Sequence, residues 1–215
     1  MYSIKEIFYT LQGEGAHTGR AAVFCRFAGC NLWSGLEQHR ANAICRFCDT
    51  QFVGTDGKGG GKFAKAEQLV SAILASWNQG NQSSTYQPRF VVLTGGEPLL
   101  QVDNGLIEIL NTHGFEVAIE TNGTQLPPTS GQFWLTVSPK STAPLNIISG
   151  DELKLVYPQT DAPPEAFENL KFKHFFLQPM DNENIIQNTQ ATLDYCLQHP
   201  KWRLSLQTHK ILNIP

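Results

Sequence analysis

The sequence predicts an α/β fold, a modified and incomplete (β/α) barrel with about six core parallel strands and only three full helices. Three observations carry that expectation. Short apolar runs rich in β-branched and aromatic residues outnumber helical stretches by about two to one. The first half alternates strand, helix, strand, helix, strand, which implies parallel strands joined by crossovers. Polar residues cluster just after successive strands, where a barrel would gather them around one cavity.

The elements follow in chain order. Residues 22–28 (AVFCRFA) read as the first strand. Residues 54–62 are glycine-rich and are expected to form a flexible connection into the first helix. Lys62 is followed by Phe63, so the Gly-x4-Gly-Lys-Ser/Thr pattern of a phosphate loop is not met. Over 64–77, Ala66, Leu69, Val70, Ile73, Leu74 and Trp77 form one helical stripe. Residues 78–89 (NQGNQSSTYQPR) read as a solvated linker, and 90–94 (FVVLT) as a strand. A second helix over 102–113 aligns Val102, Leu106, Ile109 and Leu110.

Strands are expected at 116–120, 134–138 and 152–156. The connections 121–133 and 139–151 are too short, and too rich in Pro, Gly and Ser, for full helices. A strand at 174–178, a helix over 184–198 with Ile185, Ile186, Leu193, Tyr195 and Leu197 on its stripe, and a strand at 203–207 complete the chain. There is no internal repeat, so one domain over 1–215 is expected, with an insert at 31–44.

The chain has 215 residues, is 41% hydrophobic and carries a formal net charge of −3. No dense basic block is present, which argues against a main role in gripping nucleic acid. No apolar run reaches membrane-span length, and Met1–Glu6 lacks a signal sequence, so a soluble cytoplasmic protein is expected. Five cysteines without a secretion signal disfavour a disulfide framework. Cys25 and Cys196, set in apolar surroundings, read as core thiols.

The other three cysteines carry chemistry. Cys30 is followed by fourteen residues, Cys45, two residues and Cys48. On spacing alone three readings stand. Structural zinc would take four ligands, with His39 as a possible fourth. A redox dithiol would use Cys45 and Cys48 alone. An iron–sulfur cluster on three thiolates would leave one iron open.

The surrounding motifs narrow the choice. Phe47 stands just before the last cysteine, and Thr94-Gly95-Gly96-Glu97-Pro98 follows a strand. In these features the chain resembles the radical S-adenosylmethionine (SAM) enzymes, except that their first cysteine spacing is usually three residues rather than fourteen. The long spacing, with Ile7–Gly15, Phe24–Trp33 and Gln207–Pro215, resembles the 7-carboxy-7-deazaguanine synthases over nearly the whole chain.

The resemblance implies a [4Fe–4S] cluster on Cys30, Cys45 and Cys48, with SAM on the open iron. It implies that a 5′-deoxyadenosyl radical takes hydrogen from 6-carboxy-5,6,7,8-tetrahydropterin, after which the ring contracts and ammonia leaves, on the route to queuosine. Phe47, Asp49, Gly95, Gly96, Ser138, Pro139, Lys140, Gln178, Pro179, Met180 and Asp181 would hold SAM. Leu11, Gln12, Gly13, Glu14, Arg26, Thr94, Glu120, His209 and the α-carboxylate of Pro215 would hold the pterin, Arg26 as a planar fork for its carboxylate. Thr50 would be the protein ligand of Mg²⁺, a hard ion suited to oxygen donors.

A homodimer and a reductant such as flavodoxin are implied as partners. Two other functions fit parts of the pattern: a radical SAM activase of another protein, and a zinc-binding interaction module. The insert, with Trp33, Glu37, Gln38, His39 and Arg40, is expected to form an ordered turn or short helix over the cluster and to dock the electron donor. Shortening it to three residues should abolish flavodoxin-dependent turnover; full activity in that variant would refute the expectation.

Overall fold

A computed structural model describes residues 1–81 and 88–215, so the expected linker at 78–89 lies partly outside the described residues. The strands are β1 (Tyr2–Leu11), β2 (Ala21–Phe27), β3 (Gly61–Phe63), β4 (Arg89–Gly95), β5 (Phe115–Thr121), β6 (Trp134–Val137), β7 (Ser149–Tyr157), β8 (Lys171–Pro179) and β9 (Trp202–Leu204). The helices are α1 (Ala66–Gly80), α2 (Asn104–Thr112), α3 (Ile185–Gln198) and the single-turn α4 (Thr208–Leu212). The strands form one nine-stranded sheet in the order β3-β1-β2-β4-β5-β6-β7-β8-β9.

From β2 through β4 to β9, neighbouring strands are parallel, and β1 pairs antiparallel with both β2 and β3. The order ends at β3 and β9 without joining them, which makes this a partial barrel rather than a closed one. Helices α2 and α3 fill two of the crossovers. The connections from β5 to β6 and from β6 to β7 carry no helix, as their length and composition lead one to expect.

The core strands are nearly continuous in apolar residues because both faces are covered. In β4, Phe90, Val91, Val92 and Leu93 are all buried. Helix α1 buries Leu69, Val70, Ile73 and Trp77, and Trp77 meets Tyr9 and Phe115 edge-on. It runs to Gly80, three residues further than its stripe suggests. At the start of α2, Asp103 accepts from the Leu106 N–H at 2.9 Å and from the Tyr2 hydroxyl at 2.9 Å, so one carboxylate caps the helix and ties it to β1.

Three expectations need correction. Of the apolar stripe of α3, Tyr195 packs against the core and the rest is turned largely to solvent. Ile186 and Leu197 are 79% and 72% exposed, and the buried face carries Asn188 and Thr192. Asn188 donates to the Met180 carbonyl at 2.8 Å, so this helix uses its inner face to hold the loop after β8. Strand β9 ends at Leu204 rather than at residue 207: Ser205 N–H makes the last bond to β8, to the Leu177 carbonyl at 2.8 Å, and the chain then turns into α4 at Thr208.

The glycine-rich stretch is not a flexible connection. It is hydrogen-bonded along β1, with Gly57 N–H donating to the Lys5 carbonyl at 2.9 Å and Ile7 N–H to the Lys58 carbonyl at 2.7 Å. It then enters β3 at Gly61. A Cβ on Gly57 would come within 2.6 Å of the Lys5 oxygen and 2.8 Å of Glu6 Cβ, so the glycine permits close backbone contact. Gly57→Ala should therefore lose about 1–3 kcal/mol through overpacking. Gly105→Ala, in α2 with no neighbour nearer than 3.6 Å, should gain about 0.4–1 kcal/mol by restricting the unfolded chain. Chemical denaturation of both variants checks the pair; equal midpoints would count against the packing assigned to the glycine segment.

Candidate functional site

Because the core strands are parallel, their C-terminal ends lie on one side of the sheet. A cavity of about 420 Å³ opens there. Every residue expected to hold the cluster, SAM, the pterin or Mg²⁺ lines it except Gly13 and Pro139, which stand outside the lining. Pro139 is occupied with Gln159, whose amide approaches its carbonyl at 3.5 Å. The Gly13 carbonyl accepts from Thr208 N–H and from the Thr208 hydroxyl, both at 3.0 Å, and a Cβ there would collide with the His209 ring. That close approach brings α4 and His209 to the rim of the cavity.

One end of the cavity carries the three thiols. Cys30 follows β2, and its sulfur accepts from Leu32 N–H at 3.4 Å. Burial pushes the Cys30 thiol up. Cys45 donates to Cys48, which lowers the Cys48 thiol to about 6 and raises that of Cys45. The insert is ordered as a 3-10 helix over Glu37–Asn42. The Arg40 guanidinium lies 4.1 Å over the Trp33 ring, and its Nη1 donates to the carbonyls of Arg46 at 2.9 Å and Cys48 at 3.1 Å. Trp33 meets Phe52 edge-on at 5.6 Å, forming with Ala43 a small core against which Cys30 and Cys48 pack.

His39 is exposed and bonded to the Ser34 hydroxyl at 2.8 Å, so it stands apart from the thiols as part of the insert's surface. Among the described residues, no three His, Cys, Asp or Glu side chains gather about a point that a single ion could occupy. Cys25 is fully buried in the main core, and Cys196 packs against it half-buried.

The glycine pair joins the thiols to the strand ends. Gly96 N–H donates to the Phe27 carbonyl, and a Cβ on Gly96 would fall 2.9 Å from Cys30 Cβ. Glu97 is fully buried. Its carboxylate accepts from Leu99 N–H at 2.9 Å, the Thr121 hydroxyl at 2.7 Å and Asn122 N–H at 2.8 Å. Burial nonetheless leaves its carboxyl above the usual range. Beyond the glycines, the Lys140 ammonium donates to the Ser138 hydroxyl at 2.6 Å and sits 5.7 Å from the Phe47 ring centre.

The other end is a charge network. Lys154, from the centre of β7, is 5% exposed and contacts Glu14 at 2.5 Å and Glu120 at 3.1 Å. Gln12 donates to Glu120 at 2.8 Å, and Gln207 donates to Glu14 at 3.0 Å. Burial opposes ionisation of Glu14, but the Lys154 ammonium outweighs it and holds the carboxyl below its usual value. Burial opposes the ammonium too, and the carboxylates of Glu120, Glu14 and Glu152 outweigh it.

Around the rim, Arg26 is held through Nε by Glu6 at 2.8 Å, and Thr10 donates to the Pro215 oxygen at 2.9 Å. Lys210 bridges Asp49 at 2.6 Å and Asp181 at 2.5 Å. The half-buried Thr50 donates its hydroxyl to Asp49 at 3.4 Å.

Sequence reasoning missed Lys154 as a site residue, and left Gln207 and Lys210 without roles; Glu152, two residues earlier, lies outside the cavity lining and accepts from Ala16 N–H at 3.0 Å. A signal existed for Lys154. Glu152-Leu153-Lys154-Leu155 alternates charge and leucine in a strand buried on both sides, so both charges must face the barrel interior.

Comparison with known proteins accords with this geometry. The chain is 61% identical over 214 residues to a 7-carboxy-7-deazaguanine synthase of Bordetella pertussis, covering 100% of this chain and 99% of the relative. The protein of the same name from Burkholderia multivorans is 56% identical, with the same coverage. That from Escherichia coli is 32% identical over 240 residues, covering 99% of each. The crystal structure of QueE from Escherichia coli superposes with a TM-score of 0.71 at 29% identity, over 95% of this chain and 93% of that one. No family model matches the chain.

Glu152 generates a pH-dependent expectation. Burial raises its carboxyl from 4.5 to about 7, although Lys154 and the Ala16 N–H oppose the rise. Between these values the folded protein retains a proton that the unfolded chain has released, so stability falls as pH rises through the window, by up to about 3 kcal/mol. Glu152→Gln should flatten the fall and be more stable than the native protein at pH 8 by about 1–3 kcal/mol. Denaturant midpoints from pH 4.5 to 8 read this directly, and parallel curves for the two proteins would contradict it.

Proposed function

The chain belongs to the 7-carboxy-7-deazaguanine synthases, and from that membership we propose how its cavity divides the work of the reaction. The enzyme is a lyase of deazapurine biosynthesis that makes 7-carboxy-7-deazaguanine. Its substrate would be 6-carboxy-5,6,7,8-tetrahydropterin, which contracts with loss of ammonia.

Cys30, Cys45 and Cys48 would hold a [4Fe–4S] cluster. The donor set fits: three thiols edge one cavity, braced by Arg40, Trp33 and Phe52, and Gly96 keeps space free beside Cys30. Bound there, the cluster and SAM would supply radical chemistry for removing a hydrogen atom from the substrate. Gly95 and Gly96 would let backbone lie against SAM, with Phe47 beside its adenine. Ser138, Lys140 and the Gln178–Asp181 segment would close the same pocket. Lys140 is restrained by Ser138 and so presents its charge in one place.

Gln12, Glu14, Glu120 and His209 would hold the pterin ring at the other end of the cavity. Arg26 has its Nε committed to Glu6, so its terminal nitrogens would meet the substrate carboxylate. Thr50 would hold Mg²⁺ together with oxygens of substrate and water. Lys210 ties Asp49 to Asp181 across the mouth, which keeps the cysteine loop and the β8 end at a set distance and limits the entry of water. A cytoplasmic location, a flavodoxin-type reductant and a homodimer complete the reading. No helix among the described residues is long and apolar enough to cross a membrane.

The single observation that carries the reading is that three thiols, the glycine pair and the buried charge network line one cavity. Anaerobic reconstitution, followed by incubation with SAM, Mg²⁺, reductant and the pterin, tests it. Native protein should bind iron and sulfide and form 7-carboxy-7-deazaguanine and ammonia in equal amounts. Alanine at Cys30, Cys45 or Cys48 should remove the chromophore and the product. Full turnover by any of these variants, or zinc in place of iron in the native protein, would overturn the assignment.

A further inference from the structure

Lys154 stands where no polar residue is needed for folding. It lies in the middle of β7, between Leu153 and Leu155, which are both fully buried. Its ammonium nonetheless reaches the cavity and touches two carboxylates from different parts of the chain, Glu14 after β1 and Glu120 at the end of β5. Each carboxylate has a second fixed donor, Gln207 on Glu14 and Gln12 on Glu120. Two anions are thereby held side by side in a buried place.

We propose that Lys154 is a positioning residue for the substrate: by bridging Glu14 and Glu120 it holds the two carboxylates side by side as paired acceptors for a heterocycle that presents adjacent N–H donors. The inference rests on the proposed pterin site and concerns a residue outside that reading. An ionised carboxylate is acceptor-only, whereas a protonated one offers a donor of its own. Two ionised carboxylates match the amino and ring N–H groups of a 2-amino-4-oxopyrimidine edge. A single protonation would set donor against donor.

Without the ammonium, two buried carboxylates lying close together cannot both stay charged near neutral pH. The groups that face this pair are Lys154 and Glu152 from β7, Glu120 from β5, Glu14 after β1 and His209 from α4. The carboxylates around Lys154 hold its ammonium cationic against the cost of burial.

The test is binding of 6-carboxypterin, followed by its fluorescence, to the reconstituted enzyme with SAM and Mg²⁺ from pH 6 to 8.5. The native enzyme should bind with little change across that range. Lys154→Met should bind at least tenfold more weakly at pH 8, and the loss should grow as pH falls, because a carboxylate takes up a proton. Lys154→Gln, which keeps a hydrogen-bond donor without the charge, should behave alike and serves where the methionine variant does not fold. Lys154→Arg should keep the flat native profile. Iron content should stay at native levels in every variant, which separates a loss of pterin binding from a loss of the cluster.

Native-like affinity in Lys154→Met or Lys154→Gln, or a loss that does not depend on pH, overturns the role of Lys154 and leaves the pterin site standing. A native enzyme that cleaves SAM but binds no pterin overturns both.

Discussion

The architecture of the site turns on one buried carboxylate. Glu97 is removed from water and accepts three hydrogen bonds, from its own loop, from the last residue of β5 and from the residue after it. Its backbone N–H reaches the Gly29 carbonyl, one residue before Cys30. A single residue thus fastens the end of β4, the end of β5 and the base of the cysteine loop. A charge so placed is costly unless every lone pair has a partner, and removing one partner from such a group typically costs about 1–3 kcal/mol. The demand for satisfied acceptors makes the three segments adopt one mutual arrangement.

That arrangement explains why a parallel sheet suits this chemistry. Each strand contributes its last residues to the same side, and the short connections after β5 and β6 leave that side open. The two ends of the cavity then differ in physical character. Around the thiols the surroundings are aromatic and apolar, with Trp33 and Phe52 excluding water. Around Lys154 they are ionic, each carboxylate held by the ammonium and one amide. A soft metal centre and a polar heterocycle can therefore lie side by side without sharing an environment.

Most of this was legible in the sequence. The seven parallel strands announce themselves as short apolar runs, and the cavity residues as polar clusters just after them. What could not be read has specific causes. Strand β1 mixes polar and apolar residues because it lies beside the antiparallel margin, where its faces are unequally covered. The glycines at 57 and 60 look like slack, yet glycine serves equally where two backbones touch, and composition does not separate the two. The outward apolar stripe of α3 misleads for the opposite reason: its inner face is chosen for hydrogen bonding to a loop. The partners of Lys154, as distinct from its inward direction, were hidden because they lie 140 and 34 residues away along the chain.

The Arg40 guanidinium has a consequence for how the enzyme matures. By satisfying two carbonyls of the cysteine loop and covering Trp33, it gives that loop a defined shape from protein groups alone. A scaffold delivering iron and sulfide would then meet a preformed socket rather than a floppy segment to be wrapped. Loading becomes chiefly an exchange of thiol protons for metal, and an emptied enzyme should remain ready for refilling.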